Sequence, residues 1–271
     1  MAFEQLSAPD GVVWRRSSLL HEAGVPHGFS TRLGGVSPAP FDSLNLGLAD
    51  APGEPDEWAR VQENWRRFMR AVGMDGRVLV RARQVHGVAV LQPDRDADAA
   101  RPEPPFRDGD ALVTADRRQA ISVRVADCAP VLLADPNAGI VAAVHAGWRG
   151  AVGGIVPSAV DAMVSRGACA GRMVAAIGGC IGAGAFQVGG EVREAFQRAG
   201  MGGAVIQDSV EGKWRVDLRK ALVDQLVGCG LPLAGVEVDP ACTVGDRSAQ
   251  FSYRRDGARS GRMAAIIGLP A

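Results

Sequence analysis

The stretch ISVRVADCAPVLLADPNAGIVAAVHAGWRG, residues 121–150, decides the fold that this sequence predicts. Three short apolar runs within it, at 121–125, 131–134 and 140–144, are rich in β-branched residues and are typical of strands. Asp-Pro-Asn-Ala-Gly at 135–139 supplies the turn residues that separate the second run from the third. The sequence therefore predicts a β-hairpin at the centre of the fold.

Further strands and helices are predicted on both sides of this hairpin. Short apolar runs predict strands at 78–80, 88–91, 111–114, 173–177, 235–238 and 263–267. Apolar side chains at helical spacing predict helices at 56–71, 152–165, 191–198 and 218–227, the first with Asp56 near its start and Gly73 just past its end. Because these elements follow no regular βαβ order, we expect an α+β fold. It is predicted to be a single domain over residues 1–271, with a mixed or antiparallel sheet core flanked by helices. The segment 93–108, rich in Pro, Asp and Arg, is predicted to be an exposed loop.

The composition excludes two classes of partner. The 271 residues include 30 basic and 30 acidic side chains, without the dense Lys and Arg cluster that binding a nucleic acid polymer requires. No apolar run approaches the roughly 18 residues of a membrane span, so no membrane partner is expected. Five scattered cysteines without a CxxC pair, and a start without signal-peptide features, favour reduced thiols and a cytoplasmic location.

Three residues beside predicted strands carry metal-ligand chemistry. They are His86 in RARQVHG, Cys128 in VRVADCAPVLLAD and His145 in GIVAAVHAGWRG. The predicted hairpin joins Cys128 to His145, so we expect these two residues to lie close together. Two imidazoles and one thiolate form a ligand set that zinc accepts in catalytic sites with a fourth position open. Copper is the alternative occupant, for which a weak axial Met is expected. The spacing alone leaves open a bland interpretation, in which Cys128 is a small core residue and each His a hydrogen-bonded structural one.

A series of motifs spans nearly the whole chain. They are FSTRLGGVS (29–37), SLNLG (43–47), RQVHG (83–87), DGDALVT (108–114), ADC (126–128), HAGWRG (145–150), GGCIG (178–182), FSYRRDG (251–257) and SGRMAAII (260–267). In this order they resemble the motifs of the YfiH-like laccase-domain family, also called the multicopper polyphenol oxidase or purine nucleoside phosphorylase family. Members often carry GPCIGPCCYEVG, whereas this chain reads GGCIGAGAFQVGG, with Gly179, Ala183, Ala185 and Phe186 at the differing places.

The resemblance implies a fold, a metal and an activity. The fold is expected to be similar to that of a bacterial deamidating toxin, and zinc is expected at His86, Cys128 and His145. The implied activity is phosphorolysis of adenosine, inosine and methylthioadenosine, with some adenosine deamination. Purine nucleosides and phosphate are then the expected small-molecule partners.

The histidine count limits the laccase interpretation. A multicopper oxidase needs a blue copper site and a trinuclear cluster ligated mostly by histidine, and this chain has four histidines. We therefore expect at most a weak polyphenol oxidase activity. A deaminase of the cytidine type would show H-x-E and P-C-x-x-C, which are absent, so any deamination must use a different arrangement.

Phosphorolysis requires cationic groups, because phosphate must be held against the ribose while negative charge develops on the departing purine. Arginines are therefore candidates for the site. A guanidinium binds phosphate oxygens in bidentate fashion. The candidates are Arg32, which is the first choice, Arg149, Arg254 and Arg255. The alternative for each of them is a solvated surface charge or a structural bridge.

Three further polar residues are candidates for the site. Asn45 and Gln84 are predicted to hydrogen-bond sugar hydroxyls or a base edge, with the alternative that they satisfy turn backbone groups. Asp127, next to the thiolate, is predicted to act as general acid or base, or to orient a metal ligand without itself binding the metal.

Two rival functions stay open. In the first, the protein is a cysteine hydrolase or amidase acting on a cell-wall precursor, with Cys128 as nucleophile and His145 as base. In the second, it is a zinc-binding module without catalysis, which predicts a closed fourth ligand, Cys180 or Cys242.

Overall fold

The computed structural model describes residues 3–47, 56–95 and 106–270. The strands of these residues are β1 (Glu4–Ser7), β2 (Val13–Arg16), β3 (His27–Ser30), β4 (Val78–Val80), β5 (Val90–Leu91), β6 (Ala111–Thr114), β7 (Gln119–Val125), β8 (Ala129–Asp135), β9 (Ile140–Ala146), β10 (Val174–Ile177), β11 (Gln187–Val188), β12 (Val205–Gln207), β13 (Trp214–Val216), β14 (Val236–Val238) and β15 (Met263–Gly268). The helices are α1 (Ser18–Glu22), α2 (Trp58–Ala71), α3 (Trp148–Gly153), α4 (Ile155–Val164), α5 (Gly190–Arg198), α6 (Leu218–Gly228) and α7 (Tyr253–Asp256). Within the described ranges, no helix is both long and apolar enough to cross a bilayer.

Two six-stranded sheets form the centre of the molecule. Sheet A has the order β1-β2-β3-β15-β7-β4, and sheet B has the order β14-β10-β8-β9-β6-β5. Both combine antiparallel pairs with a few parallel ones, such as β4 with β7 and β10 with β14. The sheets pack face to face, and Ile121 and Val123 of sheet A share a buried cluster with Leu132 and Ala143 of sheet B. The predicted mixed, largely antiparallel sheet core is confirmed.

Helices cover the outer faces of the two sheets, as expected. On sheet A, the apolar face of α2 buries Val61, Trp65 and Phe68 against the strands. On sheet B, helices α4 to α6 pack over the central hairpin in a second large cluster. The order of layers is therefore helix, sheet, sheet, helices, and each sheet is buried on both faces over its central strands.

The predicted hairpin is confirmed and fixes the position of two candidate ligands. Strands β8 and β9 pair in register from Asp135 opposite Ile140 to Ala129 opposite Ala146, with His145 opposite Pro130. Cys128 directly precedes β8, and His145 is the penultimate residue of β9. Both residues therefore lie at the same end of sheet B.

Two helix predictions need correction. The helix predicted from Asp56 begins at Trp58 with Glu57 as N-cap, while the Asp56 carboxylate accepts hydrogen bonds from Ser37 and Asn45. The single helix predicted over 152–165 is wrong, since Gly154 has a φ of 87° and separates α3 from α4. A left-handed glycine ends a helix, and Gly154 ends α3 directly before α4 begins.

The structure contains several elements that the sequence did not predict, namely β1 to β3, α1, β11 to β13 and α7. These are short elements, and several, such as EQLS in β1, are polar and largely exposed. The remaining predicted strands and helices are present with shifts of one or two residues at their ends. Most of the loop predicted at 93–108 lies outside the described residues.

Candidate active site

The three predicted ligands meet at the end of the sandwich where β9 ends and β8 begins. The potential ligand atoms of His86, Cys128 and His145 all lie within 4.8 Å of one another. The two imidazole rings stand edge to face, with centroids 4.9 Å apart. In the part of the chain that the structure describes, no other group of three His, Cys, Asp or Glu residues is arranged in this way, and neither Cys180 nor Cys242 joins the group.

Asp110 lies directly behind both histidines, and the sequence analysis missed it. Its carboxylate is fully buried at the start of β6. Oδ1 lies 2.8 Å from Nδ1 of His145 and accepts a hydrogen bond of 2.9 Å from the backbone N–H of His86. Oδ2 accepts from the N–H groups of Gly87, at 2.7 Å, and Val85, at 3.2 Å. A proton on Nδ1 that is donated to Asp110 leaves Nε2 of His145 as the free ligand atom.

The backbone around His86 is held in an uncommon conformation. His86 has a φ of 60°, in the left-handed region that few non-glycine residues adopt. The three successive N–H groups of Val85, His86 and Gly87 all point at the Asp110 carboxylate, which stabilises this tight turn. One carboxylate therefore fixes the turn that presents His86 and the ring orientation of His145.

The thiol and the imidazoles polarise one another. Burial raises the pKa of the Cys128 thiol, but the charge and hydrogen bonding of His145 and His86 outweigh burial and bring that pKa down to about 6. Burial lowers the pKa of His145, while Cys128 and Asp110 oppose it and raise the pKa to about 9. Without a bound cation, the pair is therefore a thiolate beside an imidazolium near neutral pH. A thiolate is the form of cysteine that binds metal and attacks as a nucleophile.

Gly147 provides the space in which the ligands meet. A Cβ atom at this position would lie 2.9 Å from Sγ of Cys128 and 3.0 Å from Cδ2 of His86. Both distances are shorter than van der Waals contact, so any side chain here would push two ligands apart. The site therefore requires glycine at position 147. The local backbone does not, since the φ of −75° at Gly147 is open to any residue.

We expect Gly147→Ala to lower metal affinity at least tenfold, because the methyl group displaces ligands that must hold their positions to within about 0.5 Å. Competition with a chromophoric chelator measures the affinity, and thermal unfolding of the metal-free protein measures stability. Gly171→Ala is the matched control, since a Cβ there meets nothing within 4 Å. Equal metal affinity in the two variants would show that Gly147 does not shape the site.

The three ligand residues line a cavity of about 520 Å³. This volume suits a small organic molecule. Its other walls combine apolar and aromatic side chains with three arginines and two polar residues: Gln84, Arg124, Val125, Ala126, Asp127, Gly147, Trp148, Ile181, Phe186, Leu218, Tyr253, Arg254, Ala258 and Arg262. Arg124 and Arg262 were not among the predicted candidates.

Arg32 and Arg255 do not line this cavity, although both were candidates for binding phosphate or purine. The guanidinium of Arg32 pairs with Asp42 at 3.1 Å and stacks over the ring of Phe251 at 4.5 Å. Arg255 pairs with Asp256 at 2.7 Å and donates to backbone carbonyl groups of the loop around Thr243. Both side chains thus tie loops together, which is the structural alternative that the sequence left open.

The other two candidate arginines differ in their surroundings. Arg149 is exposed, with its guanidinium 4.3 Å from the ring centroid of Trp148, and it does not line the cavity. Arg254 does line the cavity, and its guanidinium donates to the carbonyl oxygen of Gln187 and lies 5.6 Å from the ring centroid of Phe186.

The amides of Gln84 and Asn45 bind the protein backbone. Gln84 lines the cavity, but its Nε2 donates to the carbonyl oxygen of Arg124 and its Oε1 accepts from the N–H of Arg124. Asn45 is fully buried and lies outside the lining; its Oδ1 accepts from the N–H groups of Arg262 and Gly47. Each amide therefore holds the strand segment that carries one cavity arginine.

Asp127 lines the cavity, and both of its carboxylate oxygens accept hydrogen bonds from the chain. Oδ1 accepts from the hydroxyl of Thr243, and Oδ2 accepts from the backbone N–H of Arg254. The residue has a φ of 92°, well inside the left-handed region, and strain of this kind persists where surrounding contacts fix it. Asp127 thereby ties the turn that carries Cys128 to the start of α7. Its predicted role as general acid or base stays a prediction.

Sequence signals exist for two residues that the analysis missed. Arg124 interrupts the apolar run ISVRV with a charge, and a charged residue in a buried strand calls for a specific role. Asp110 immediately precedes β6, the strand that pairs with the strand of His145. A histidine ligand needs a partner for its second nitrogen, so a carboxylate beside that strand is the signal to look for.

These observations define a protein with a candidate metal centre that opens into a small-molecule cavity. The family model described as multi-copper polyphenol oxidoreductase laccase matches residues 26–270. The chain therefore belongs to this YfiH-like laccase family, and the resemblance in the motifs is confirmed.

Similar proteins carry two kinds of name. A purine nucleoside phosphorylase of Deinococcus radiodurans is 41% identical over 246 residues, covering 91% of this chain and 90% of that protein. The adenosine deaminase RL5, from an unknown prokaryotic organism, is 38% identical over 212 residues, covering 76% and 81%. Among solved structures, the hypothetical protein YfiH of Bacillus licheniformis has a TM-score of 0.86 at 31% identity and covers 98% of both chains.

Proposed function

We propose that this protein is a zinc-dependent purine nucleoside phosphorylase that acts on adenosine, inosine and methylthioadenosine. The observation that carries the proposal is the shared cavity, in which the triad of His86, Cys128 and His145 meets three arginines and several aromatic side chains. Aromatic and apolar walls suit a purine base, and guanidinium groups suit phosphate. The names of similar proteins support the same reaction class.

The proposed reaction needs positioning more than covalent chemistry by the protein. An oxygen of phosphate attacks C1′ of the ribose while the bond from C1′ to N9 of the purine breaks. The electron pair of that bond leaves with the base, which takes up the proton that hydrogen phosphate loses as it becomes the ester, directly or through water. The products are the free base and ribose 1-phosphate. Arginines hold the anionic nucleophile, and the aromatic walls hold the base in line with the breaking bond.

The donor set fits zinc. Imidazole and thiolate are both ligands that zinc takes in three-ligand catalytic sites, a carboxylate orients one of the imidazoles, and Gly147 leaves the space where the ligand atoms converge. No methionine, the axial ligand expected for a mononuclear copper site, occurs among the described residues that line the cavity. When bound, zinc supplies a Lewis acid that stabilises negative charge. Copper occupancy, and with it weak polyphenol oxidation, is the alternative.

The proposal is tested with metal-defined protein. Inosine or adenosine is incubated with and without phosphate, and release of base and of ribose 1-phosphate is followed by chromatography. We expect base release to require both phosphate and zinc. Nucleoside consumption that ignores phosphate and zinc would eliminate the proposal. Ammonia release from adenosine in the same samples tests the secondary deaminase activity that the RL5 relative suggests.

A cysteine hydrolase or amidase acting on a cell-wall precursor is the second candidate, and one observation favours it. The arrangement of Cys128, His145 and Asp110 is similar to that of the nucleophile, the base and the carboxylate that orients the base in hydrolases. Nδ1 of His145 lies 2.8 Å from the Asp110 carboxylate. The expected likeness to a deamidating toxin belongs to this hypothesis. Under it, added zinc inhibits and chelation activates, which is the reverse of the primary proposal.

A further inference from the structure

Two of the cavity arginines are held side by side. In the pairing of β15 with β7, Ala264 lies opposite Arg124, and Arg262 is two residues from Ala264 on the same face. A single point, the ideal Cβ position of Gly47, lies 2.8 Å from Cγ of Arg262 and 3.5 Å from Cδ of Arg124. The two side chains therefore run next to each other on sheet A, and both reach the cavity.

The backbone of each arginine is held by the side-chain amide of another residue. Gln84 makes two hydrogen bonds with the backbone of Arg124, and buried Asn45 accepts one from that of Arg262. One terminal nitrogen of each guanidinium also donates to backbone carbonyl oxygens, Ala82 for Arg124 and Ser260 with Gly261 for Arg262. These six hydrogen bonds hold the two arginines next to each other.

Two neighbouring guanidinium groups beside a cavity offer several N–H donors to one multivalent anion. A phosphate dianion can accept hydrogen bonds from two guanidinium groups at once. Arg254 is not part of this pair, because its guanidinium donates to the carbonyl oxygen of Gln187 and lies near the ring of Phe186. Arg262 has an aromatic neighbour as well, with its guanidinium 5.8 Å from the ring centroid of Tyr253. What distinguishes Arg124 and Arg262 is therefore that their side chains are adjacent.

We propose that Arg124 and Arg262 form the subsite for inorganic phosphate, with Asn45 and Gln84 as positioning residues. The catalytic role of this subsite rests on the proposed phosphorolysis, but the binding of phosphate at the subsite does not. The same pair would also suit the 5′-phosphate of a nucleotide, which shares its chemistry with free phosphate. We assign the subsite to free phosphate because the cavity also holds the triad and aromatic walls that suit a nucleoside.

The test compares Arg124→Gln and Arg262→Gln with the control Arg198→Gln, which removes the same charge from an exposed position at the end of α5. We expect each cavity variant to raise the KM for phosphate about tenfold or more, the usual effect of losing a charge-assisted hydrogen bond, with the KM for inosine changed less than threefold. Gly47→Ala keeps both charges and should act in the same direction, since its methyl group meets Arg262. Circular dichroism and zinc content verify that each variant is folded.

Three outcomes would overturn the assignment. One is an unchanged KM for phosphate in both cavity variants. Another is an equal rise in the KM values for inosine and phosphate, which indicates general damage. The third is a wild-type protein that binds inosine 5′-monophosphate much more tightly than inosine and loses this preference in the variants, which indicates a nucleotide subsite. If the wild type shows no phosphorolysis, calorimetric titration with inorganic phosphate still decides the matter: loss of binding in the two cavity variants supports the subsite, and unaltered or absent binding contradicts it.

Discussion

Cys128→Ser is expected to lower the zinc affinity of the protein by more than about 100-fold and to abolish phosphorolysis. Loss of a residue that merely supports a ligand costs 10–100-fold, and loss of the ligand itself should cost more. The thiolate is also the only anionic ligand of the three, since burial is outweighed by the two histidines in setting its pKa at about 6. Serine stays protonated near neutral pH and cannot replace that charge.

Zinc affinity is measured by chelator competition and zinc content by mass spectrometry. Cys169→Ser is the control, because Cys169 is an exposed free cysteine outside the cavity. A Cys128→Ser protein that retains stoichiometric zinc would show that the thiolate is not a ligand. Zinc-independent activity that is lost only in this variant would instead favour the hydrolase.

Asp110→Asn is expected to damage both the stability and the metal affinity of the protein. The carboxylate is surrounded by four donors, namely three backbone N–H groups and Nδ1 of His145. An amide replaces one acceptor oxygen by an NH₂ group, which then faces N–H donors whichever way it is turned. Breaking such a buried network costs about 3 kcal/mol of unfolding free energy, and zinc affinity should fall about 10–100-fold.

Urea unfolding of the metal-free protein and chelator competition measure these two effects separately. Asp108→Asn is a matched control two residues away, because Asp108 is half-exposed and pairs with Arg83 at the surface. An exposed pair contributes at most about 1 kcal/mol. If the two variants behaved alike, Asp110 would not be the residue that presets the histidines.

The hairpin, and with it the proximity of Cys128 to His145, was predictable because short-range patterns determine it. The turn residues at 135–139 fix the pairing of β8 with β9, and that pairing brings Cys128 close to His145. No such short-range pattern predicts that His86 lies beside these two residues. The position of His86 depends on the buried Asp110, whose partners are backbone groups 23 to 25 residues away.

The residues around the substrate were harder to predict, because a sequence gives side-chain types but not their directions. Arg32 looked suited to phosphate, yet Asp42 and the ring of Phe251 hold it elsewhere. Asn45 and Gln84 were candidates for binding either substrate or turn backbone groups, and their amides bind the backbones of Arg262 and Arg124. In both cases, a partner distant in sequence decides where the polar group points.

The two halves of the cavity belong to different sheets. His145 lies near the end of a strand of sheet B, whereas Arg124 lies in sheet A, and apolar side chains such as Ile121 and Leu132 pack between the two layers. The thickness of this packed layer sets the distance between the triad and the arginine pair. Protein interiors are close-packed and transmit a change of one methylene, and a misplacement of about 1 Å can cost about 100-fold in rate. Under the proposed function, the packing of the hydrophobic interior therefore affects turnover as well as the polar groups do.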